Sequence, residues 1–393
     1  MKHLVIAGGG FAGVRLARKL KKQTDLRITL INDSEDFRYS PALYRAATGF
    51  KLGTARLPLE WMLLDSNNLT LVKGKASKID HAKKIISLED GQKFVYDFVV
   101  CALGSTTTHF GIDGIAEHSF GVKSPEEILE LKQHMHDTVA NKSNSQHNYV
   151  IIGAGPTGVE VAAALGNYLN SVLLKHKTKY PHVRIYLIEA GPRILPQMSE
   201  RASKKVEKFL FKLGVTILKD TRVTSETNLL LKTSAGELRT QNVIWTAGTR
   251  NNPFFENNPK QFKLDQRGRV VVNGHLEAQD KLYVCGDNCN SRFSGLAITA
   301  IGHGNYIAKD LKARMNHRAR PTNTDRHPIQ VVPIANSAIL QYRRLVLSGR
   351  LIAFIRHIAD LIGYSDVLGP LKAITIWSNI EKTEEVCPSC QVN

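Results

Sequence analysis

The amino-acid sequence predicts an α/β fold with two similar parallel-sheet units, followed by a small C-terminal α+β region with an amphipathic helix. The first observation behind this prediction is a repeated pattern of apolar strand, glycine-rich turn and helix, KHLVIAGGGFAG at 2–13 and NYVIIGAGPTG at 148–158. The second is that another strand follows each helix, RITLIN at 27–32 and VRIYLIE at 183–189. Strands that alternate with helices in this way form parallel sheets.

Length and composition set the class of protein. The chain has 393 residues, of which 42% are hydrophobic and 22% charged, as in a folded protein of two or three domains. Lys and Arg number 53 against 35 Asp and Glu, a formal charge of +18, so an anionic partner is expected. The start MKHLVIAGGG lacks the apolar core and cleavage site of a signal peptide. No charge-free stretch reaches the roughly 20 apolar residues of a membrane-spanning helix, so we expect a cytoplasmic protein.

The remaining elements follow in chain order. Apolar runs predict further strands at 69–73, 84–88, 96–103, 215–218, 228–232, 242–247 and 281–285. A helix is predicted at 294–315 and a proline-containing linker at 321–333, after which short strands near 338–347 precede an amphipathic helix from about 350. We therefore divide the chain into a first domain made of 1–112 and 251–320, a second domain at 113–250, and a C-terminal region at 321–393.

Both glycine turns have the spacing of a dinucleotide-binding site. The glycines are Gly8, Gly10 and Gly13 in the first turn and Gly153, Gly155 and Gly158 in the second. The first glycine of each set permits a tight turn, the second lets the backbone approach a pyrophosphate, and the third lets the helix pack against the strand. The helix N-terminus then offers N–H groups to the phosphates. Two such Rossmann-like domains predict a tightly held flavin in the first and an exchangeable nicotinamide in the second.

The residue at the end of the second strand of each unit is the expected ribose ligand. Glu189 takes this place in the second unit, where its carboxylate favours NADH because it would repel the extra phosphate of NADPH. Asn32 takes it in the first unit, where an amide bonds a ribose more weakly than a carboxylate does. A simple turn residue is the alternative interpretation of Asn32.

Three later segments end a buried strand in small residues, which let a turn pass close to a bound cofactor. They are YDFVVCALGS at 96–105, NVIWTAGTR at 242–250 and LYVCGDN at 282–288. In the last of them, Asp287 is a candidate ligand for ribityl hydroxyls or for a phosphate-bound water.

The order of five motifs along the chain resembles that of the flavoproteins that bind two dinucleotides. These motifs are GGGFAG, YDFVVCALGS, GAGPTGVE, IWTAG and CGDN. Three further segments resemble one family among them more closely: FRYSPALYRAATG at 37–49, IEAGPRILPQM, and the tail SGRLIAFIRHIADLIGY. This family is the type II NADH dehydrogenases, which are single-subunit NADH:quinone oxidoreductases. The resemblance implies an FAD-dependent enzyme that passes a hydride from NADH to FAD and then electrons to a quinone, without proton pumping.

The resemblance also implies the site residues. FAD would lie on Gly8, Gly10, Ala12, Gly13, Asn32, Ala102, Leu103, Gly104, Gly286, Asp287 and Ala297. NADH would lie on Gly153, Gly155, Gly158, Glu160, Glu189, Ala247 and Gly248. Glu160 would touch the nicotinamide side as a catalytic residue, although the helix dipole alone also favours an acid in a first helical turn.

The segment expected to face the flavin and the quinone departs from the family. The family carries two Gln in the form AQxAxQ, whereas AITAIG at 297–302 has Ile298 and Gly302 in those places. His303 follows and is the candidate polar replacement, again as a catalytic residue. The acceptor therefore stays open. One alternative is a reductase of a soluble electron-carrier protein, and another is a redox-responsive protein that binds FAD and NAD without efficient turnover.

The cysteines exclude related flavoproteins. Disulfide reductases need paired cysteines near the flavin, and residues 30–60 contain none. Sulfide:quinone relatives need paired cysteines across the two domains, whereas Cys101 and Cys285 lie in strand-like runs and are interpreted as core. Cys387 and Cys390 form a terminal CPSC, which is only half of a four-ligand zinc site, so we expect a flexible tail and no metal.

The C-terminal region combines basic and apolar residues. Residues 311–357 hold nine Lys or Arg against one acid, Asp325. Apolar residues then follow helical spacing on one face: Leu351, Ile352, Phe354, Ile355, Ile358, Leu361 and Ile362. We expect peripheral attachment to an anionic membrane, on the inner face of the cell membrane, with a helix packed on the protein as the alternative. No module typical of nucleic-acid binding is present, and a homodimer is left open.

Overall fold

The computed structural model describes residues 1–63, 66–140, 148–177, 183–325 and 327–384. Its strands are, in chain order, β1 (Lys2–Ala7), β2 (Leu26–Asn32), β3 (Asp36–Arg38), β4 (Arg56–Pro58), β5 (Leu69–Lys73), β6 (Ala76–Asp80), β7 (Ile85–Leu88), β8 (Lys93–Val95), β9 (Phe98–Cys101), β10 (Ser105–Thr107), β11 (Asn148–Ile152), β12 (Arg184–Ile188), β13 (Val215–Leu218), β14 (Val223–Thr227), β15 (Leu230–Thr233), β16 (Gly236–Arg239), β17 (Asn242–Trp245), β18 (Thr249–Asn251), β19 (Glu277–Gln279), β20 (Leu282–Val284), β21 (Gln330–Ile334), β22 (Ser337–Tyr342) and β23 (Leu345–Gly349). Its α-helices are α1 (Phe11–Leu20), α2 (Leu43–Ala47), α3 (Leu59–Leu63), α4 (Ile115–His118), α5 (Pro125–Ala140), α6 (Pro156–Lys175), α7 (Glu200–Lys212), α8 (Pro253–Glu256), α9 (Ala297–Met315), α10 (Arg350–Leu368) and α11 (Pro370–Trp377).

The first sheet has six strands in the order β19-β20-β9-β1-β2-β5, and every pairing except that of β19 with β20 is parallel. Val5 of the central strand β1 lies opposite Thr29 on one side and Val99 on the other. The last four residues of β1, LVIA, are all fully buried, as expected of a parallel strand covered on both faces. Because β19 and β20 come from residues 277–284, the chain leaves this sheet after β9 and later returns to it.

The second sheet has four strands in the order β13-β12-β11-β17, all parallel. α6 starts directly after its glycine turn with Pro156 at a first-turn position, where the missing N–H costs nothing. The strands predicted at 215–218 and 242–247 are confirmed as β13 and β17. The domain boundaries stay a prediction.

The two segments that cross between the sheets pair with one another. β10 follows the turn after β9, β18 follows the turn after β17, and the two strands are antiparallel, with Thr106 opposite Arg250. This short ladder brings the turn at 102–104 and the turn at 247–248 into one region of the molecule.

The two large sheets are accompanied by three smaller antiparallel sheets, which consist of β3–β4, β6–β8 and β14–β16. The sequence predicted only the strands at 84–88 and 228–232 among them, which correspond to β7 and β15. The other strands are three to five residues long and mix charged with apolar residues, as in the segments DFR and GELR. Such strands are too short for an apolar-run criterion to recognise.

The C-terminal region contains the antiparallel sheet β21–β23 and the helices α10 and α11, which pack on each other. α10 begins at Arg350, as predicted, and packs on β22 and α1. The chain then returns to the first domain, where the Lys51 N–H donates to the Lys382 carbonyl (2.9 Å) and the Glu384 N–H to the Gly49 carbonyl (2.9 Å). Within the described ranges, none of the helices has the length and apolar character needed to span a bilayer.

Candidate active site

The first glycine turn has an open cradle at its middle glycine. A Cβ on Gly8, whose φ is +112°, would lie 2.2 Å from the Ala102 carbonyl oxygen, and one on Gly13 would lie 1.9 Å from the Gly8 oxygen. A Cβ on Gly10 would meet nothing within 4 Å. Packing therefore requires the outer two glycines, whereas the space above Gly10 is open at the N-terminus of α1. This space suits a pyrophosphate, which the backbone N–H groups there would bind.

The second glycine turn repeats this arrangement. A Cβ on Gly153, whose φ is +98°, would lie 2.7 Å from Ala247 Cα, and one on Gly158 would lie 1.9 Å from the Gly153 oxygen. A Cβ on Gly155 would meet nothing within 4 Å. The residues present thus fit a second dinucleotide, and the close contact places the predicted NADH turn, Ala247 and Gly248, beside the glycine turn.

The two strand-end residues hold the glycine turns in the same way. Asn32 Oδ1 accepts a hydrogen bond from the Gly9 N–H (2.8 Å). Glu189 Oε2 accepts from the Ala154 N–H (2.9 Å), and its Oε1 accepts from the Gly191 N–H (2.9 Å). Both side chains therefore lie at the turns where the sequence predicted ribose ligands.

The turn after β9 and the turn after β20 are joined by a buried asparagine. The Gly104 N–H donates to Asn288 Oδ1 (2.9 Å), and Asn288 Nδ2 donates to the Gly104 carbonyl (2.7 Å). Next to it, Asp287 accepts from the Ser105 hydroxyl (3.3 Å) and from the Gly295 N–H (3.1 Å). The predicted FAD residues at 102–104 and 286–287 are thus brought together. Asn288 was not predicted, although an amide directly after Gly-Asp was the signal for it.

His303 lies behind this turn, with its side chain almost wholly buried. Its Nδ1 accepts from the Gly286 N–H (3.1 Å), so Nε2 carries the proton and faces Asp325 Oδ1 (3.3 Å). Burial lowers the pKa of His303, and the hydrogen bond to Asp325 partly opposes this. Both ring nitrogens of His303 are thus engaged, one with the Gly286 turn and the other with Asp325, and its acceptor-side role stays a prediction.

The start of α9 is open at the positions where the family has glutamines. Ile298 is 58% exposed, and a Cβ on Gly302 would meet nothing within 4 Å. Ala297, predicted to contact FAD, is the first residue of this helix. The described structure therefore presents an apolar and open surface here.

Glu160 lies one turn into α6, within electrostatic range of a charged group that the sequence did not predict. Burial raises the pKa of Glu160 to about 8, while the nearby Arg356 and Arg45 oppose the rise and Asp360 adds to it. Arg45 Nη1 lies 2.8 Å from Asp360 Oδ2, and Arg356 Nη1 pairs with Asp360 Oδ1. The signals in the sequence were Arg45 within FRYSPALYRAATG and the i, i+4 spacing of Arg356 and Asp360.

Lys123 was also missed by sequence reasoning. Its ammonium donates to the Gly248 carbonyl (3.4 Å), so it contacts the turn predicted to hold NADH. Burial lowers the pKa of Lys123, and the negative charges of Glu127 and Asp287 oppose that shift. Lys123 therefore lies within electrostatic range of both predicted cofactor turns.

The cysteines of the described chain are buried and free: Cys101, Cys285 and Cys289. Burial raises the pKa of Cys101 to about 12 and that of Cys289 to about 11, so both thiols stay protonated. Their interpretation as core residues is confirmed for Cys101 and Cys285. Cys387 and Cys390 lie outside the described residues. Among the residues that the structure describes, no group of three or more His, Cys, Asp or Glu could hold a metal ion.

The model of the pyridine nucleotide-disulphide oxidoreductase family matches residues 2–304, which include both glycine turns and the Gly286 turn. The chain belongs to this family. Its members bind a pyridine nucleotide, and the two open cradles fit the predicted cofactors, FAD and NADH. As an oxidoreductase of this family, the chain also has the predicted α/β fold with two nucleotide-binding domains.

Curated relatives within this family are type II NADH:quinone oxidoreductases. The chain is 28% identical to the one named Ndh from Mycobacterium tuberculosis, with 95% of this chain and 87% of the relative covered. It is 26% identical to the one from Staphylococcus saprophyticus, with 91% of this chain and 94% of the relative covered. The predicted resemblance to the type II NADH dehydrogenases is thereby confirmed.

Solved structures share the fold at low sequence identity. NDH2 from Plasmodium falciparum, in complex with NADH, gives a TM-score of 0.84 at 14% identity, covering 96% of this chain and 97% of that one. The sulfide:quinone oxidoreductase from Aquifex aeolicus gives a TM-score of 0.78 at 18% identity, covering 100% of this chain and 98% of that one. At these identities the likeness concerns the architecture, including the C-terminal region beyond the family match.

Proposed function

We propose that this oxidoreductase is an FAD-dependent NADH dehydrogenase that reduces a quinone without pumping protons. The observation that carries the proposal is the pair of open cradles at Gly10 and Gly155, on two sheets whose following turns are joined by the β10–β18 ladder. A bound flavin would supply hydride acceptance from NADH and release of the two electrons to an acceptor. The named activity of the curated relatives supports the same reading.

NADH is the expected donor rather than NADPH. Glu189 presents a carboxylate at the end of β12, where the extra phosphate of NADPH would meet a like charge. Arg193 follows four residues later, but its guanidinium donates to the Met198 carbonyl (2.7 Å) and the Pro196 carbonyl (2.8 Å). The nearest arginine is therefore committed to the backbone and does not compensate for the carboxylate.

Glu160 is the proposed proton donor. Reduction of a quinone by NADH consumes one proton in addition to the hydride, so the site needs an acid that is protonated near neutral pH. A carboxyl whose pKa is raised to about 8 meets this requirement, whereas an ordinary glutamate would be ionised. Glu160 lies in α6, one helical turn after the second glycine turn, which is the proposed NADH site.

The acceptor is proposed to approach over the start of α9. Ile298 and Gly302 leave an apolar surface there, and it suits a flat quinone ring held by contact rather than by amide hydrogen bonds. His303 supports the Gly286 turn from behind, and its acceptor-side catalytic role stays a prediction.

The C-terminal helices are proposed to attach the protein to the inner face of the cell membrane. Large apolar side chains are exposed along α10 and α11: Leu351, Phe354, Ile355, Ile358, Ile362, Leu371 and Ile374. Trp61 of α3 joins them, with Lys372 Nζ 5.7 Å from its ring centroid. An apolar face edged by basic residues is typical of helices that lie in a membrane interface, and a quinone would reach the site from the same bilayer. A homodimer stays a prediction.

The proposed function is tested with purified protein and a panel of acceptors. Denaturation is expected to release one FAD per chain, and NADH oxidation is expected to be fast with a short-chain quinone and slow with an acidic electron-carrier protein. Absence of released flavin would overturn the proposal. Fast turnover with the carrier alone would assign the chain to the carrier reductases, and tight cofactors without turnover would make it a redox-responsive binding protein.

A further inference from the structure

Three residues form a buried charge group beneath α10, here named the Asp360 cluster and consisting of Arg45, Arg356 and Asp360. The Asp360 side chain is 0% exposed, and each of its oxygens pairs with one guanidinium. Arg45 belongs to α2 of the first domain, whereas Arg356 and Asp360 belong to α10. The cluster therefore ties the C-terminal helix to the nucleotide-binding part of the molecule.

The Asp360 cluster lies on the inner face of the helix whose outer face is apolar. Arg356, Asp360 and Tyr364 follow each other at spacings of four residues, so they form one stripe along α10. Tyr364 is fully buried and donates to the Thr54 carbonyl (2.8 Å), which fixes the stripe against the first domain. The exposed apolar residues Phe354, Ile358 and Ile362 lie on the remaining surface of the helix.

The cluster acts on Glu160 from two elements, and one of them, α2, packs on α6, the helix that carries Glu160. The charged and titratable groups that act on the Glu160 carboxyl are Arg45 and Tyr44 of α2, and Arg356 and Asp360 of α10. The two guanidiniums favour the ionised carboxylate, and the Asp360 carboxylate favours the protonated acid. One carboxylate between two guanidiniums leaves a single net positive charge beside Glu160, instead of two.

We propose that Asp360 is a positioning residue for proton delivery: it holds Arg45 and Arg356 in place and cancels part of their charge, so that Glu160 keeps a proton to give to the acceptor. This inference rests on the proposed function. NADH supplies two electrons and one proton as a hydride, and the O–H bond of Glu160 breaks to supply the second proton to a quinone oxygen. Solvent then returns a proton to Glu160, so that NADH, one proton and quinone give NAD⁺ and quinol.

The charges predict opposite effects for two substitutions. In Asp360→Asn the buried negative charge is lost, the guanidiniums act on Glu160 unopposed, and the pKa of Glu160 falls. In Arg356→Gln the strongest opposing positive charge is lost, and the pKa of Glu160 rises. Each shift is expected to be about one pH unit, the size that a nearby charge typically produces at a carboxyl.

The experiment measures kcat against pH with saturating NADH and a short-chain quinone. The alkaline limb of the profile is expected at lower pH in Asp360→Asn and at higher pH in Arg356→Gln, because activity fails where Glu160 loses its proton. Asp366→Asn is the matched control, since Asp366 lies on the same helix and its carboxylate pairs with Arg15 of α1 instead. Its limb is expected to coincide with that of the unmodified protein.

Two further measurements separate this inference from its alternatives. Ferricyanide accepts electrons without a proton. With that acceptor, the same variants are therefore expected to show the pH profile of the unmodified protein. A merely structural defect would alter the activity with both acceptors. Infrared titration follows the protonated carboxyl band that Glu160→Gln removes, and it reports the pKa without any quinone. If the unmodified protein reduces no quinone, the proposed function fails, and the infrared shifts still decide the role of Asp360.

The proposal would be overturned if the alkaline limb and the infrared titration of Glu160 were unchanged in both variants. It would also be overturned if the pKa of Glu160 shifted in the same direction in both. Arg356→Gln leaves Asp360 paired with Arg45, so it is expected to fold even if Asp360→Asn does not, and its shift alone then decides.

Discussion

At the scale of single residues, the glycines divide into those at which a Cβ would collide with packed atoms and those that have open space beside them. Gly304 of α9 belongs to the first kind, because a Cβ there would lie 2.6 Å from the Ala12 carbonyl oxygen of α1. Gly10, Gly155 and Gly302 belong to the second kind, because a Cβ would meet no protein atom within 4 Å. A glycine inside a helix lowers stability, and the open space beside Gly302 leaves room for a ligand.

The first prediction concerns Gly10. Gly10→Val is expected to fold, because a Cβ at this position meets no protein atom within 4 Å, and to lose most of its FAD, because the side chain fills the pyrophosphate space. Absorbance of the purified protein gives the flavin content, and circular dichroism checks the fold. Gly274→Val is the control, since its Cβ also meets open space, in the turn before β19. Full flavin retention in Gly10→Val would contradict the assignment of this cradle.

The second prediction concerns Glu189. Glu189→Ala removes the acceptor of two backbone N–H groups and the charge that repels NADPH, so the preference for NADH is expected to narrow. The loss in NADH binding is expected to be about 1.5–3 kcal/mol, as for a hydrogen bond to a charged group. Ratios of kcat/KM for NADH and NADPH measure the effect.

Glu189→Gln keeps a neutral acceptor for the turn and separates the two contributions. It is expected to retain NADH binding better than Glu189→Ala while still losing selectivity. Glu237→Ala removes a surface carboxylate paired with Lys232 and serves as the control. Equal efficiency of the unmodified protein with both donors would refute the role of Glu189.

At the scale of elements, α10 serves two surroundings at once. Its inner stripe holds Asp360 between two arginines, and Asp366 near its end binds Arg15 and Arg18 of α1. Its outer face exposes Phe354 and Ile362, each to 60%. The inner stripe anchors the helix to the first domain and leaves this apolar outer face exposed.

The third prediction tests this outer face. The double variant Phe354→Ser and Ile362→Ser is expected to lose most binding to anionic vesicles, whereas Leu229→Ser, at an exposed turn of the β14–β15 hairpin, is expected to bind as the unmodified protein does. Co-sedimentation measures binding. Binding is also expected to weaken as salt is added, because each basic residue near the surface contributes about 1 kcal/mol that salt screens.

Substitution on the outer face is a sharper test than truncation before Gly349, which would also remove Arg356 and Asp360. If the unmodified protein stays in the supernatant with anionic vesicles at low salt, peripheral attachment is wrong. A soluble electron acceptor would then be the better hypothesis.

At the scale of the whole molecule, the site exists only because the two sheets are held against each other. The β10–β18 ladder joins the segments that cross between the sheets. Lys123 donates a hydrogen bond to the turn after β17 and interacts electrostatically with Asp287. The end of the described chain, at 382–384, also returns to pair with the first domain. Each of these contacts connects parts of the sequence more than 100 residues apart.

The fourth prediction concerns Lys123. Lys123→Met is expected to keep its FAD and to raise the KM for NADH about tenfold, because the Gly248 turn loses a charged hydrogen-bond donor. Lys123→Arg is expected to restore part of the affinity. Steady-state kinetics and NAD⁺ titration measure it, with Lys219→Met, a surface residue paired with Glu207, as the control. An unchanged KM together with unchanged NAD⁺ affinity would exclude this role.

The sequence by itself determined the two sheets, their glycine turns and the family. These features depend on local periodicity and on glycines at fixed spacing, and a strand buried on both faces has to be apolar throughout. The predicted bounds of β13 and of the start of α10 hold for the same reason.

Only the tertiary structure decided which polar residues work together. Nothing local to the sequence pairs Arg45 with Asp360, which lies 315 positions further along the chain, or turns His303 inward to Gly286. Burial, which raises the pKa of Glu160 and lowers that of His303, is a property of the surrounding fold and not of either residue's neighbours in sequence. The sequence therefore specifies the cradles that hold the cofactors, and the packing of distant segments specifies the charges that act on the proton.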